Sequence, residues 1–372
     1  MNKEQQLKRT PLFKIHQKLG ARIIEFAGWE MPVQYTSIIA EHHNTRQRVS
    51  LFDICHMGEF IVQGERALGF LQYLLTNDVA KLEIGQCQYN LLCNHQGGIL
   101  DDLILYRIDH TKYMLVVNAI NQRKDWQWLK EHLFSATEIE DVSEQTVKID
   151  LQGPLAYQVL KSTFPELPIE KINYFCFKEF TIGNIELAIS RTGYTGELGY
   201  ELYTTRHYGP ILWEQLMEKG QKWGILPAGL GARDTLRLEM GYPLYGHELN
   251  EQITPLEASL QWAVAFHNKD FIGQQALLEQ KEEGIKKKRI GFVLKQKAIP
   301  RAGNPIKIEN KQVGWVTSGT FSPTLNQPIG LGYLAVDFLT SPEISIEIRN
   351  KLYPAQIFKY PFYRQGTVKK EL

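Results

Sequence analysis

Cysteine is scarce. The 372 residues hold four, Cys55, Cys87, Cys93 and Cys176, and no two stand in a C-x-x-C pair. A disulfide framework is therefore not expected, and neither is a structural metal, because no histidines cluster at zinc spacing. Charge of one sign is also missing. Lys and Arg number 42 against 41 Asp and Glu, and no long like-charge run occurs. That balance gives no basic footprint for nucleic acid. No stretch of about 18 apolar residues exists, so no membrane span is expected. The opening "MNKEQQLKRTPLF" lacks the apolar core of a secretory leader. A reducing cytoplasm is the expected setting.

What is present is an ordinary globular composition, 43% hydrophobic and 22% charged, in a chain too long for one core. Two or three domains are expected. Helices are expected at 11–20, closed by Gly20, around Ile38–Val49, along "RALGFLQYLLTNDVAKL" with Leu68, Leu71, Leu74 and Leu75 on one face, and from Gln122 to Leu133. Strand character begins at Cys55 and runs to Gly64. It returns in "CQYNLLCN", "GILDDLILYRI" and "KYMLVVNA", the first two pairing as a hairpin around His95–Gly98. "TVKIDLQGPLAYQVLKS", "FTIGNIELAIS" and "TGYTGELGYELYTT" repeat the mixture. Strands and helices alternating in this way point to an α+β class and not to a doubly wound parallel sheet. From 289 to 364 short strand-like runs are broken by Gly, Pro and Asn, which reads as a separate β domain. The division is expected in the charged stretch 279–288, with the Lys286–Lys287–Lys288 run as a solvated linker.

Three stretches carry chemistry. "GGILDDL" puts Asp101 and Asp102 side by side in an apolar strand, where carboxylates are seldom buried without partners. Alternation sends Asp101 to the side of Ile99, Leu103 and Leu105, and Asp102 to that of Leu100, Ile104 and Tyr106. Unless a bulge intervenes, the two cannot share a pocket as an acid–base pair. Either one aspartate works while the other caps or pairs, or both merely satisfy backbone N–H groups of the turn. "SRTGYTGELGYELY" has glycines at 193, 196 and 199 but no GK[ST], so it is a weak phosphate loop. It leads into a strand bearing Glu201, either a ligand acceptor or a surface residue of a hairpin. "PAGLGARDTLRLE" places Arg233 near a helix start, against the helix dipole. Such an arginine has a ligand or a carboxylate partner, a surface ion pair being the plainer choice. His56 stands alone and reads as structural.

Those stretches, with "TPLF", "FAGWEMPVQY", "DICHMGEF", "VVNA", "LQGP", "KDFIGQQAL", "TSGTFSPTLNQPIGLGYL" and "PFYR", occur in one order along nearly the whole chain. Together they resemble the T-protein family of the glycine cleavage system, tetrahydrofolate-dependent aminomethyltransferases. The resemblance implies a three-domain cloverleaf. Two interleaved α+β (ferredoxin-like) domains would occupy 1–278, one centred on about 55–145, and a β-barrel or Greek-key domain would occupy 279–372. It implies transfer of the methylene carbon from an aminomethyl thioether on the lipoylated H-protein to tetrahydrofolate, with ammonia released and no metal involved. It also implies a functional link to the P- and L-proteins.

Residue by residue, the resemblance gives Asp102 the catalytic place and Glu201 the pterin anchor. Arg233, Tyr89, Asn118 and Tyr194 would line the folate channel, Met57 would lie beside it, and Lys370, with Lys369, would meet the glutamate tail. Cys55 replaces a serine common in the family. Two relatives offer other readings. The iron–sulfur assembly factor carries a "KGCYxGQE"-like segment that this chain replaces with "PAGLGARD". A folate-dependent demethylase would need no lipoyl carrier.

Overall fold

The computed structural model describes residues 6–267 and 269–371. Strands and helices mix throughout, as α+β alternation predicts, and the last quarter is a closed barrel. A six-stranded sheet runs in the order Phe177–Ile182, Ile185–Ser190, Gly199–Thr205, Thr146–Gln152, Val49–Asp53, Ile225–Pro227. A five-stranded sheet runs Cys87–Cys93, Ile99–Arg107, Lys112–Val117, Gly58–Gln63, Glu138–Asp141. Every strand of the second lies in sequence between Val49–Asp53 and Thr146–Gln152, which are neighbours in the first, with Ile149 opposite Asp53. The chain thus leaves one sheet, builds another and returns.

Each sheet has its own apolar core. Val49, Leu51, Ile149, Leu151, Leu202 and Trp213 belong to one, and Phe60, Phe70, Leu71, Leu103, Leu105 and Leu115 to the other. Residue periodicity finds the helices that cover them. The Ala67–Leu74 helix buries Ala67, Phe70, Leu71 and Leu74 on one stripe. The Ile38–Gln47 helix starts where the Ser37 hydroxyl accepts the Ala40 N–H.

Val49 and the lysine run depart from expectation. Val49 was expected in a helix and is instead the first residue of a strand. All five residues of Val49–Asp53 are buried, so no polar alternation marks the strand. The lysine run expected as a linker is the start of the barrel. The Gln274–Glu283 helix ends three residues before the Lys287–Leu294 strand, whose Lys287 and Lys288 pair with Ala335 and Leu334. The barrel closes through Lys287–Leu294, Gln327–Ala335, Lys311–Ser322, Pro305–Ile308, Ile344–Ile348 and Lys351–Phe358. Among the described residues no helix is long and apolar enough to cross a membrane.

Candidate functional site

The Ile99–Arg107 strand is launched by a tight turn. Asn94 Oδ1 accepts from the N–H groups of Gln96 (3.0 Å) and Gly98 (2.9 Å), mimicking a backbone turn. The register then slips. Leu92 faces Asp101 but Cys93 faces Ile99, which leaves Leu100 as a bulge. The bulge overturns part of the expected alternation. Leu100 joins Leu103 and Leu105 in the core behind Asp101, while Ile99 packs with Leu91, whose cross-strand partner is Asp102. It lies before both aspartates, so Asp101 and Asp102 still leave the strand on opposite faces.

Asp101 is fully buried. It accepts from the Asn118 backbone N–H (3.0 Å), the Asn118 amide (2.9 Å) and the Asn121 amide (2.5 Å). Asp102 keeps part of its surface open. It accepts from the Tyr89 hydroxyl at 2.9 Å and from the same Asn118 amide at 2.9 Å. One side chain therefore bridges both carboxyls. Burial raises the Asp102 carboxyl, and the neighbouring charge of Asp101 adds to it, to about 7, against the bonds from Tyr89 and Asn118.

The second cluster forms on the six-stranded sheet. Glu201 sits opposite Asp150 on one side and Ser190 on the other. Its Oε2 accepts from the hydroxyls of Thr192 (2.7 Å), Tyr106 (3.2 Å) and Tyr203 (3.2 Å), and Lys148 Nζ lies 3.4 Å from Oε1. Burial works against its charge, but Lys148, Thr192, Arg233 and Tyr106 outweigh burial and hold the carboxyl below its ordinary range. Arg233, from the Leu230–Met240 helix, donates to Asp150 at 2.7 Å and lies 4.9 Å over the Tyr194 ring. Tyr194 stacks on Tyr242 and donates its hydroxyl to the Pro243 carbonyl. Asp150 is raised to about 7 by burial, which Arg233 opposes.

Tyr106 joins the clusters. It leaves its strand on the Asp102 face, four residues or about 13 Å further on, and its hydroxyl reaches both Glu201 and, at 2.8 Å, Tyr203. The polar faces of the two sheets meet there.

The residues singled out from sequence fall into two groups and one outlier. Tyr89 and Asn118 surround Asp102. Arg233 and Tyr194 flank Asp150 beside Glu201, and Met57 Sδ lies 3.6 Å from Lys148 Nζ. Lys370 stands apart with an exposed side chain, its carbonyl accepting from the Arg191 guanidinium. The surface readings fail for Glu201, 5% exposed, and for Arg233, whose partner Asp150 is fully buried. Sequence reading passed over Lys148 and Asp150. Their signal was available: two charges spaced i, i+2 against Val147, Ile149 and Leu151 give a strand one polar face inside the protein. Trp262, 64% exposed and stacked 5.3 Å from Tyr89, gave no periodic signal. Among the described residues no group of three or more His, Cys, Asp or Glu is placed to hold a metal.

Comparison with known proteins gives concordant results. Residues 12–268 match the family model described as the GCVT N-terminal domain, and residues 287–364 match the glycine cleavage T-protein C-terminal barrel domain. The chain is 48% identical to an aminomethyltransferase of Halothermothrix orenii over 96% of its own length and 100% of the relative's. It is 46% identical to one from a Geobacillus species, over 97% and 100%. The crystal structure of glycine cleavage system aminomethyltransferase T from Bartonella henselae superposes with a TM-score of 0.91 at 36% identity, covering 97% of this chain and 99% of that one.

Proposed function

This chain belongs to the glycine cleavage T-protein family and is an aminomethyltransferase, and we propose that the polar seam from Glu201 to Asp102 holds the tetrahydrofolate that accepts its one-carbon group. The donor is a dihydrolipoyl arm of the H-protein bearing –S–CH2–NH2, and the P- and L-proteins supply and reoxidise that arm in the cytoplasm. The observation that carries the reading is the seam itself. One anionic carboxylate, Glu201, and one carboxyl near neutrality, Asp102, are joined by the Tyr106 strand face.

The folate ring offers N–H donors, which a carboxylate oxygen accepts. Glu201 Oε1, met only by Lys148 at 3.4 Å among the bonds described above, is the free acceptor. Tyr89 and Tyr194 provide flat walls, with Arg233 held over Tyr194. Met57 and Asn118 complete the lining, and Lys369 and Lys370 meet the anionic tail. Tetrahydrofolate brings two N–H nitrogens. The first attacks the methylene as the C–N bond to ammonia breaks. The second closes the ring as the C–S bond breaks. The two folate protons end on ammonia and on the carrier thiol, so atoms and charge balance. Asp102, with a carboxyl near neutral pH, is suited to take a proton from folate nitrogen and return it to a leaving group. We further assign this chemistry to 1–278 and the closing barrel to 279–372.

A single-turnover experiment tests the reading. Aminomethylated lipoyl H-protein is mixed with the enzyme with and without tetrahydrofolate, and ammonia and methylenetetrahydrofolate are followed. Both products should form only with folate present. Folate binding without either product would remove the H-protein as donor.

A further inference from the structure

Asp125 is the fourth residue of the Gln122–Glu131 helix, which follows directly on the Ala119–Asn121 turn. It is fully buried, and neither carboxyl oxygen accepts a hydrogen bond from an N–H or O–H group of the described residues. Its neighbour is another carboxyl, Asp101, which accepts from Asn121, the residue one helical turn before Asp125. Two ionised carboxylates in such contact would only repel, at high cost away from water. A proton on one turns the contact into an O–H···O⁻ bond. Burial raises the Asp101 carboxyl too, but Asp101 accepts three N–H bonds that favour its charged form, whereas Asp125 accepts none. The proton therefore belongs on Asp125.

We propose that Asp125 is a neutral carboxylic acid that donates to Asp101 and acts as a positioning residue, keeping Asp101 ionised and Asn118 aimed at Asp102. This rests on Asp102 as the working carboxyl. The charged groups facing Asp125 agree with the assignment. Asp101 and Asp102 come from the strand, and Lys124 comes from its own helix. The Lys124 ammonium donates instead to the Tyr245 hydroxyl at 2.7 Å and to Glu251 at 3.1 Å. Burial, with the charge of Asp101, raises the Asp125 carboxyl well above its usual range. One proton is then fixed behind the site, and Asp102 titrates in front of it against the charge of Asp101.

The test needs no turnover. The full chain is labelled with carbon-13 at aspartate side-chain carboxyls only, and its spectrum is recorded at alkaline pH, above the range where Asp102 and Asp150 ionise. One aspartate carboxyl should remain at the neutral-acid position and vanish in Asp125→Asn. If Asp125→Asn does not fold, Asp125→Glu removes the same signal while keeping the acid. A spectrum in which every aspartate is ionised overturns the proposal, whatever reaction the enzyme performs.

Turnover supplies the second arm. Asp125→Ala, which removes the donor, should lower kcat about tenfold with little change in KM for folate, and Asp125→Asn, which keeps an N–H donor, should restore most of it. The acid limb of the pH profile should hold its midpoint in Asp125→Asn, because a neutral group replaces a neutral group. A limb displaced to lower pH would mean that a negative charge had been removed, and would refute the proposal.

Discussion

Asp102 combines exposure to the seam with a carboxyl that resists ionisation, and its two functions pull in opposite directions. A carboxyl whose folded pKa lies near 7, against about 3.9 unfolded, stays neutral in the folded chain while the unfolded chain ionises. Stability from this group is therefore greatest below about pH 4 and declines as pH rises toward 7. Asp102→Asn should remove that penalty. The variant should be more stable than the parent at pH 8, by up to about 4 kcal/mol, and equal to it at pH 4. It should also lose most turnover while binding folate within a few-fold. Asp101→Asn is expected to act by loosening Asn118 and Asn121, and so to show in the denaturation curve. If Asp101→Asn were the more damaging to turnover in a stably folded protein, the assignment of faces would be wrong. Glu201→Gln should weaken folate binding by roughly 1–3 kcal/mol, read by calorimetry, and unchanged affinity would remove Glu201 from the site. At this scale the sequence was legible where a polar residue interrupts an apolar strand, as at Asp101, Asp102 and Glu201. It was silent about Asp125, because a lone acid early in a helix looks like an ordinary favourable charge at the N-terminus.

The hairpin that carries Asp102 shows what an element adds to a residue. Strand alternation correctly separates the two aspartates, but no periodicity marks the bulge at Leu100. Its origin is tertiary. Gly98 sits against the backbone of Glu251, where a Cβ would come within 1.9 Å of the carbonyl oxygen, and the Ile99 N–H donates to the Ile253 carbonyl. A segment 150 residues away thus sets the pitch of the turn and, through the bulge, the position of Asp102. Gly98→Ala should force these backbones apart, lowering stability by about 1–3 kcal/mol and cutting turnover more than folate affinity. Denaturation and steady-state kinetics on the same preparation check it. A variant with parental kcat would show that the turn does not position the carboxyl. The missed Val49–Asp53 strand has the converse explanation. Buried on both faces, it lacks the alternation that makes strands visible.

Interleaving is a property of the whole molecule. Pairing of Val49–Asp53 with Thr146–Gln152 joins segments about a hundred residues apart, and local pattern holds no trace of it; only the family resemblance implied it. The barrel is attached just as remotely, through Glu239 at the end of the Leu230–Met240 helix. The buried Glu239 carboxylate accepts from Arg46 at 2.9 and 3.1 Å, from the Ser322 hydroxyl at 2.5 Å and from the Thr324 hydroxyl at 3.0 Å. Its carbonyl accepts from Phe362 and Tyr363 N–H. Arg46 continues to Glu197, which receives the Thr367 hydroxyl and N–H. One knot holds an N-terminal helix, the barrel and the C-terminal tail. Burial opposes the Glu239 charge, yet His42, Arg46 and Ser322 together hold the carboxyl down at about 2. A depressed carboxyl contributes stability that is fully present above its unfolded pKa of about 4.3 and is lost as pH falls toward 2. Glu239→Gln leaves Arg46 short of a buried partner and should cost about 3–5 kcal/mol at neutral pH. The parent should weaken between pH 4 and 2 more steeply than the variant. Denaturant unfolding at pH 7, 4 and 3 reads both quantities, and parallel pH profiles would place the acid-sensitive contact elsewhere.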